Sequence, residues 1–363
     1  MEGKIFYQIA PGEDAGGKPI FSVLVKRVYT ILPDLPVIPS ETQRPLVQMD
    51  EYYGEGDPQK DSVRLESDMV PFKCATDVVF VGRAYTPGGV PAPFVKTALT
   101  VGSHRKELIA IGDRTCEFHA GGNPVFRDPA DFTAMEIRYE RAYGGTDFAS
   151  EPALPFAYPR NHIGTGFVVK NLPETVNGLR LPNIEDPQEL LTPESLITGD
   201  LNLWNRQPLA QGYGWFQKTW YPRCSFLAAM PAFVPVDETM REERLGLVPQ
   251  RQAALARAFR LPSRDYRFFN GASLGLTVPY LKGDELVTLG NLTPSGFLRF
   301  QLPGEIPRVG LDIGMGEKEL QPVLHSVTIR SDENELDLVW RAALEYPGVE
   351  WLPNLKRLYA TVQ

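Results

Sequence analysis

Cysteine is scarce in this sequence, with 3 residues in a chain of 363. Cys74, Cys116 and Cys224 are odd in number and widely spaced. A disulfide-stabilised secreted domain has many cysteines at short spacings, so this pattern favours reduced thiols in a cytoplasm. The opening residues Met1 to Lys4 also lack a basic head followed by an apolar stretch, and no secretion signal is predicted. The expected compartment is therefore the cytoplasm.

Long apolar runs and basic runs are missing as well. No eighteen consecutive residues are apolar, which argues against a transmembrane helix. The 37 Lys and Arg residues are scattered and are outnumbered by 45 Asp and Glu, for a net charge of −8. Phosphate backbones require a basic stripe, so neither nucleic acid nor membrane is expected as a partner.

Cofactor and metal motifs are also lacking. The stretch Gly164-Thr-Gly166 has no third glycine where a dinucleotide fingerprint requires one, because position 169 is Val. His104, Cys116 and His119 are the only close grouping of His and Cys, and a closed zinc site needs a fourth ligand. No cofactor and no metal is expected.

Glycine and proline are abundant, at 32 and 33 residues, and they separate short apolar segments as turns separate strands. Residues 20–31 alternate in polarity and predict a long half-buried strand. Residues 95–111, 285–302 and 323–341 read as hairpins. Only Pro249 to Phe259 has clear helical character. The predicted fold is mainly β, with antiparallel sheets in a sandwich-like or meander arrangement, a loop-rich central connector and a few short helices.

Composition divides the chain into three regions. Residues 1–150 form an N-terminal β region and residues 261–363 a C-terminal one. Between them, residues 151–260 are dense in Pro, Asn and aromatics with weak periodicity, which indicates an irregular connector with one short helix. One continuous domain over the whole chain remains an alternative.

A possible catalytic motif is Gly271-Ala-Ser-Leu-Gly275, which fits the turn that presents a nucleophilic serine in α/β-hydrolases. Asp312 and His325 follow Ser273 in the order of that triad. The elbow requires a helix after the serine, whereas Leu276 to Pro279 is strand-like. A serine hydrolase therefore stays an alternative.

Aromatic residues are concentrated between 204 and 221. Large aromatics in a loop-rich stretch can anchor a partner protein or line a sugar site, and they can equally fill a core beneath an irregular segment. Tyr213, Trp215 and Trp220 are the candidate partner-binding residues. A carbohydrate-binding protein is the second alternative.

The segment Glu140-Arg-Ala-Tyr-Gly-Gly145 ends an apolar run at two adjacent glycines, which permit positive φ and predict a junction into the connector. Glu140 and Arg141 are expected to hold this corner. Two more distinctive segments follow, Tyr158-Pro-Arg-Asn-His-Ile-Gly-Thr-Gly-Phe167 and Leu181-Pro-Asn-Ile-Glu-Asp-Pro187. Flanking segments with matching order lie at 67–78, 111–114, 265–270, 281–286 and 338–341.

In these segments together, over nearly the whole chain, the sequence resembles a bacterial family first catalogued as a domain of unknown function. The resemblance implies an adaptor or chaperone of the type VI secretion system. Such an adaptor acts in the cytoplasm, binds a cognate toxic effector through its PAAR-like region and helps to load it onto the secretion spike. The effector and the spike protein are the implied partners, and no catalytic activity is implied.

Overall fold

The computed structural model of this chain describes residues 4–13, 18–70, 72–119, 121–221, 223–226, 269–346 and 355–362. The helix predicted at Pro249 to Phe259 lies outside the described residues.

Short strands dominate the described residues, and helices are few and short. The first strands in chain order are β1 (Phe6–Glu13), β2 (Pro19–Thr30), β3 (Ile38–Pro39), β4 (Glu51–Tyr52), β5 (Val63–Leu65), β6 (Thr76–Val81), β7 (Arg83–Tyr85), β8 (Phe94–Val101), β9 (His104–Ile111), β10 (Cys116–Phe118), β11 (Pro124–Phe126) and β12 (Ala134–Glu136). The remaining strands are β13 (Tyr143–Gly144), β14 (Thr146–Asp147), β15 (Phe156–Ala157), β16 (Thr165–Gly166), β17 (Ile184–Glu185), β18 (Thr277–Val278), β19 (Leu286–Gly290), β20 (Phe297–Gln301), β21 (Arg308–Asp312), β22 (Lys318–Leu320), β23 (Val323–Arg330), β24 (Glu335–Glu345) and β25 (Arg357–Thr361). The α-helices are α1 (Pro173–Val176), α2 (Pro193–Leu196) and α3 (Arg223–Phe226), and 3-10 turns occur at Pro87–Gly89, Tyr139–Arg141, Leu201–Arg206 and Ser331–Glu333.

The prediction of a mainly β fold with antiparallel sheets is confirmed. The largest sheet has the order β1-β2-β24-β23-β6-β18, with β3 also paired to β2. All its pairs are antiparallel except β23 with β6. A second sheet has the order β17-β9-β8-β19-β20 and is antiparallel throughout. The three predicted hairpins appear in these sheets as β8–β9, β19–β20 and β23–β24.

The prediction that strand β2 is half-buried is wrong, because both faces of the strand are covered. Its apolar side chains face the main core, and Leu24 packs on the other side with Leu46 and Val339. The polar Lys26 is also buried, where its Nζ lies 3.1 Å from Asp68 and 3.4 Å from Asp337. Two carboxylates thus offset the cost of burying this ammonium group.

One core joins the two β regions. Strand β2 from the beginning of the chain pairs with β24 from its end, and β8 pairs with β19. The main hydrophobic cluster contains buried side chains from strands of both sheets, including Phe21, Phe80, Leu99, Leu289 and Trp340. The two sheets therefore bury their inner faces against each other, with residues 1–150 and 261–363 interleaved.

The predicted connector is called the central segment from here on, and its described part packs with nearby N-terminal residues as a smaller unit. Short strand pairs link β13 to β16 and β14 to β15. A second cluster of buried residues lies beneath them and includes Tyr143, Tyr158, Phe167 and Trp204. Strand β10 pairs with β11 and joins this unit, and it does not extend the β8–β9 hairpin.

Across the ranges that the structure describes, no helix has the length and apolarity needed to cross a membrane.

Candidate functional site

Tyr213, Trp215 and Trp220, the candidate anchors, all lie in the interior, with 0%, 3% and 0% of their surface exposed. The Tyr213 hydroxyl lies 3.0 Å from Thr97 Oγ1. Lys73 Nζ lies 4.8 Å from the Trp215 ring centroid. Trp220 Nε1 donates to His162 Nδ1 at 3.1 Å. These positions fit the alternative in which the aromatics fill a core. A partner protein or a sugar could reach the three rings only if the rings moved out of the interior.

The segment Glu140 to Gly145 is the junction that its glycines predict. Gly144 and Gly145 have φ of +150° and +115°. The Glu140 carboxylate accepts hydrogen bonds from the backbone N–H and the hydroxyl of Ser62, at 2.8 and 2.7 Å. Arg141 Nη1 donates to Asn183 Oδ1 at 3.1 Å. Both charged residues therefore hold the corner, as expected.

Asp77, at the start of the buried strand β6, organises the turn that carries Ser273. One carboxylate oxygen accepts from Lys73 Nζ at 2.7 Å and from the Gly271 N–H at 3.0 Å. The other accepts from the Ala272 N–H at 3.1 Å. Because an ionised carboxylate accepts several charge-assisted hydrogen bonds, one acidic side chain can fix this whole turn.

Ser273 follows directly and is 1% exposed. Its backbone N–H donates to Gly214 O at 3.1 Å. Asp312 ends strand β21 and His325 lies buried in β23. All three residues are described, and no hydrogen bond joins any two of them, so the triad considered from sequence is not assembled. A nucleophile elbow requires a helix directly after the serine, whereas strand β18 follows Ser273.

Lys106, which the sequence did not single out, is the residue that contacts the serine. It lies on β9, and its Nζ donates to Ser273 Oγ at 2.7 Å and to Leu274 O at 2.7 Å. Burial lowers the pKa of Lys106 to about 7, although the charge of Asp186 opposes the shift. No local signal in the sequence could connect two residues that are 167 positions apart.

The outer face of the five-stranded sheet is open and carries large apolar side chains. Phe94, Leu286 and Phe297 are 54%, 48% and 59% exposed. They belong to β8, β19 and β20, whose inward residues alternate with these outward ones. In the register, Gly290 lies opposite both Ala98 and Phe297, so small residues leave the Phe297 ring standing above its neighbours.

Charged and polar side chains lie between these apolar groups, because Arg299 and Thr288 are opposite each other between Phe297 and Leu286 in the register. Lys96, Arg105 and Arg299 are exposed on β8, β9 and β20. Arg105 pairs with Glu107 at 2.5 Å and Arg299 with Asp34 at 2.9 Å. A non-obligate protein-binding surface has a similar mixture of apolar and polar side chains. We call the outer residues of β8, β19 and β20 the open face.

No group of three His, Cys, Asp or Glu side chains that could hold a metal ion occurs in the part of the chain that the structure describes. Cys116 is buried in β10, whereas His119 lies at the surface, where Glu117 is 3.9 Å from its Nε2.

A family model described as an uncharacterized protein conserved in bacteria, DUF2169, matches residues 16–341. The match spans both sheets and the central segment. No match was found among the curated proteins or among the solved structures.

Proposed function

The chain belongs to the DUF2169 family of bacterial proteins, and on that premise we propose that it is an adaptor of type VI secretion. In this proposal it binds a cognate toxic effector in the cytoplasm through the effector's PAAR-like region. It then promotes loading of the effector onto the secretion spike. The sequence segments that resemble known adaptors, such as 140–145 and 158–167, support this proposal together with the open face.

The observation that carries the proposal is the exposure of Phe94, Leu286 and Phe297 on one sheet face. Burying a large apolar side chain contributes about 1.5–3 kcal/mol. Aromatic side chains near the middle of a patch commonly provide most of an interface's binding energy. A partner covering this face would gain that energy without any rearrangement of the sheet.

The rigid support beneath the open face favours the same function. The inward residues of these strands, among them Leu99, Leu289 and Phe300, are fully or almost fully buried in the main core. Their packing fixes the backbone of these strands before a partner arrives. A surface that is already ordered loses little conformational entropy on binding, which increases affinity.

Co-expression tests the proposal. The tagged protein is produced with the products of its neighbouring genes, including one that contains a PAAR-like region, and is then captured by its tag. We expect that gene product to co-purify and to reach a lower soluble level when the adaptor is absent. If no neighbour co-purifies and the effector level does not change, the proposal is wrong.

A matched pair of variants locates the contact. Phe94→Ser with Phe297→Ser removes two apolar groups from the open face. Val125→Ser with Met315→Ser removes two exposed apolar groups, 44% and 60% exposed, that lie away from it. We expect co-purification to fall for the first variant and to persist for the second.

A further inference from the structure

Lys106 is unusual because its half-buried side chain has no carboxylate within ion-pair distance. Its Nζ bonds are made to a hydroxyl and a carbonyl, on Ser273 and Leu274. None of the ion pairs among the described residues includes Lys106, in contrast to Lys26 and Lys73, which each pair with a buried aspartate. A buried lysine without a counter-ion loses its proton readily. Desolvation accordingly lowers the pKa of Lys106 to about 7, although the charge of Asp186 opposes the shift.

The serine beside this amine is rigidly positioned. The turn is fixed by Asp77, which binds the Gly271 and Ala272 N–H groups, and Leu276 N donates to Ser273 O at 2.9 Å. A nucleophile and its base within about 2.6–3.2 Å, each fixed by other contacts, form the arrangement that activates a hydroxyl. The 2.7 Å distance from Lys106 Nζ to Ser273 Oγ meets this condition.

A further hydroxyl group lies near the pair. Tyr139 is buried, and its hydroxyl has no hydrogen-bond partner within normal distance. Burial raises the pKa of Tyr139, and the neighbouring Ser273 side chain opposes this rise. The tyrosine therefore remains protonated, with its hydroxyl beside the Ser273 side chain.

From this geometry we propose that Ser273 is a nucleophile, with Lys106 as its base, that accepts an acyl group from a small activated ester or thioester. The Ser273 oxygen forms a bond to the acyl carbon as its proton moves to the neutral Lys106 amine. The bond from the acyl carbon to the donor's oxygen or sulfur then breaks. The leaving group takes the proton from Lys106, and the product is an acylated serine.

The size of the acyl group follows from the burial of the site. Ser273 is 1% exposed, whereas Leu274 beside it is 68% exposed. Gly275 follows with φ of +84°, and a Cβ added there would meet nothing within 4 Å. We therefore expect that only a short acyl chain, entering beside the exposed Leu274, reaches the hydroxyl. The site lies on the inner side of the sheet, so it is independent of the open face and of the adaptor proposal.

Labelling of the wild-type protein tests this proposal first. The protein is incubated with p-nitrophenyl acetate, and separately with a small fluorophosphonate, between about pH 5.5 and pH 9. Intact mass and peptide mapping locate the adduct. We expect a single adduct on Ser273, with a rate that rises as Lys106 loses its proton near pH 7 and then levels off. An adduct elsewhere, no adduct, or a rate on Ser273 without this pH step would overturn the proposal.

Variants of Lys106 distinguish a role as the base from a role in packing. Lys106→Met removes the amine, and Lys106→Arg keeps a permanent charge that accepts no proton, so both should slow labelling by about 100-fold or more. Lys96→Met, an exposed lysine on the neighbouring strand, is the control and should label at the wild-type rate. Unchanged labelling in a folded Lys106→Arg protein would contradict the proposal. If the Lys106 variants do not fold, the wild-type pH profile still decides the question.

Discussion

Arg223 and Glu66 form a two-pronged buried ion pair, in which Nη1 donates to Oε2 at 2.7 Å and Nη2 donates to Oε1 at 3.0 Å. Both side chains are almost fully covered, at 3% and 1% exposure. Glu66 follows β5, and Arg223 begins α3, so the pair ties the central segment to the N-terminal region. The pair also lies against Gly271, where an added Cβ would come within 2.6 Å of Glu66 Oε2.

The ion pair between Glu66 and Arg223 should contribute strongly to the stability of the protein. Glu66→Gln leaves the buried guanidinium without its counter-charge, and we expect a loss of about 3–5 kcal/mol in the free energy of unfolding. Chemical denaturation of the two proteins measures the difference. The control is Glu345→Gln, which removes the exposed ion pair with Lys18 and should change stability by no more than about 0.5 kcal/mol. Equal losses of stability for Glu66→Gln and Glu345→Gln would contradict a special role for the buried ion pair.

Acid sensitivity follows from the same carboxylate. Burial would raise the pKa of Glu66, but the charges of Arg223, Lys218 and Lys73 lower it to about 2, below its ordinary value of 4.5. The pair therefore contributes its full stability above about pH 4.5 and loses it as the pH falls toward 2. Unfolding free energies measured across this range should converge for the wild type and Glu66→Gln. A constant difference across the range would be inconsistent with this shift.

His325 should produce a second pH dependence in a different window. Burial and the nearby charges of Lys73 and Arg341 lower its pKa well below 6.5. The unfolded chain therefore takes up a proton near pH 6.5 that the folded chain refuses, and stability declines as the pH falls below that value. His325→Gln removes this group, and its unfolding free energy should change less between about pH 7.5 and pH 5.5. An unchanged pH slope in the variant would show that His325 is not responsible.

Gly144 offers a test of the junction. An added Cβ would lie 2.1 Å from the carbonyl oxygen of Asn161, and the backbone φ is +150°. Gly144→Ala should therefore destabilise the protein by several kcal/mol or prevent folding, since a collision with backbone adds to an unfavourable conformation. Thermal denaturation measures this, with Gly121→Ala as the control because nothing lies within 4 Å of its added Cβ. A tolerated Gly144→Ala would show that the corner can relax.

Local features of the fold could be predicted from the sequence, and contacts between distant segments could not. The hairpins β8–β9, β19–β20 and β23–β24 follow from alternation and turn residues within about twenty positions. The pairing of β2 with β24 joins the two ends of the chain, and no local pattern encodes it. The burial of Lys26 was missed for the same reason, because Asp68 and Asp337 approach it only in the folded chain.

The candidate site shows the same division. The sequence shows the motif around Ser273, and chain order points to Asp312 and His325, whereas the folded chain brings Lys106 to the serine from a distant strand. Aromatic composition drew attention to Tyr213, Trp215 and Trp220, which are buried. Composition cannot distinguish an aromatic that fills a core from one that anchors a partner. Exposure of Phe94, Leu286 and Phe297 depends on the sheet register, which the sequence does not fix by itself.

The adaptor account is tested most directly by the affinity of this protein for its PAAR-like effector. Calorimetric titration with the purified effector compares the wild type, the open-face variant Phe94→Ser with Phe297→Ser, and the control Val125→Ser with Met315→Ser. The account predicts that the open-face variant binds at least about tenfold more weakly, with the control unchanged. Equal affinity for all three proteins, or no binding by the wild type, would contradict it.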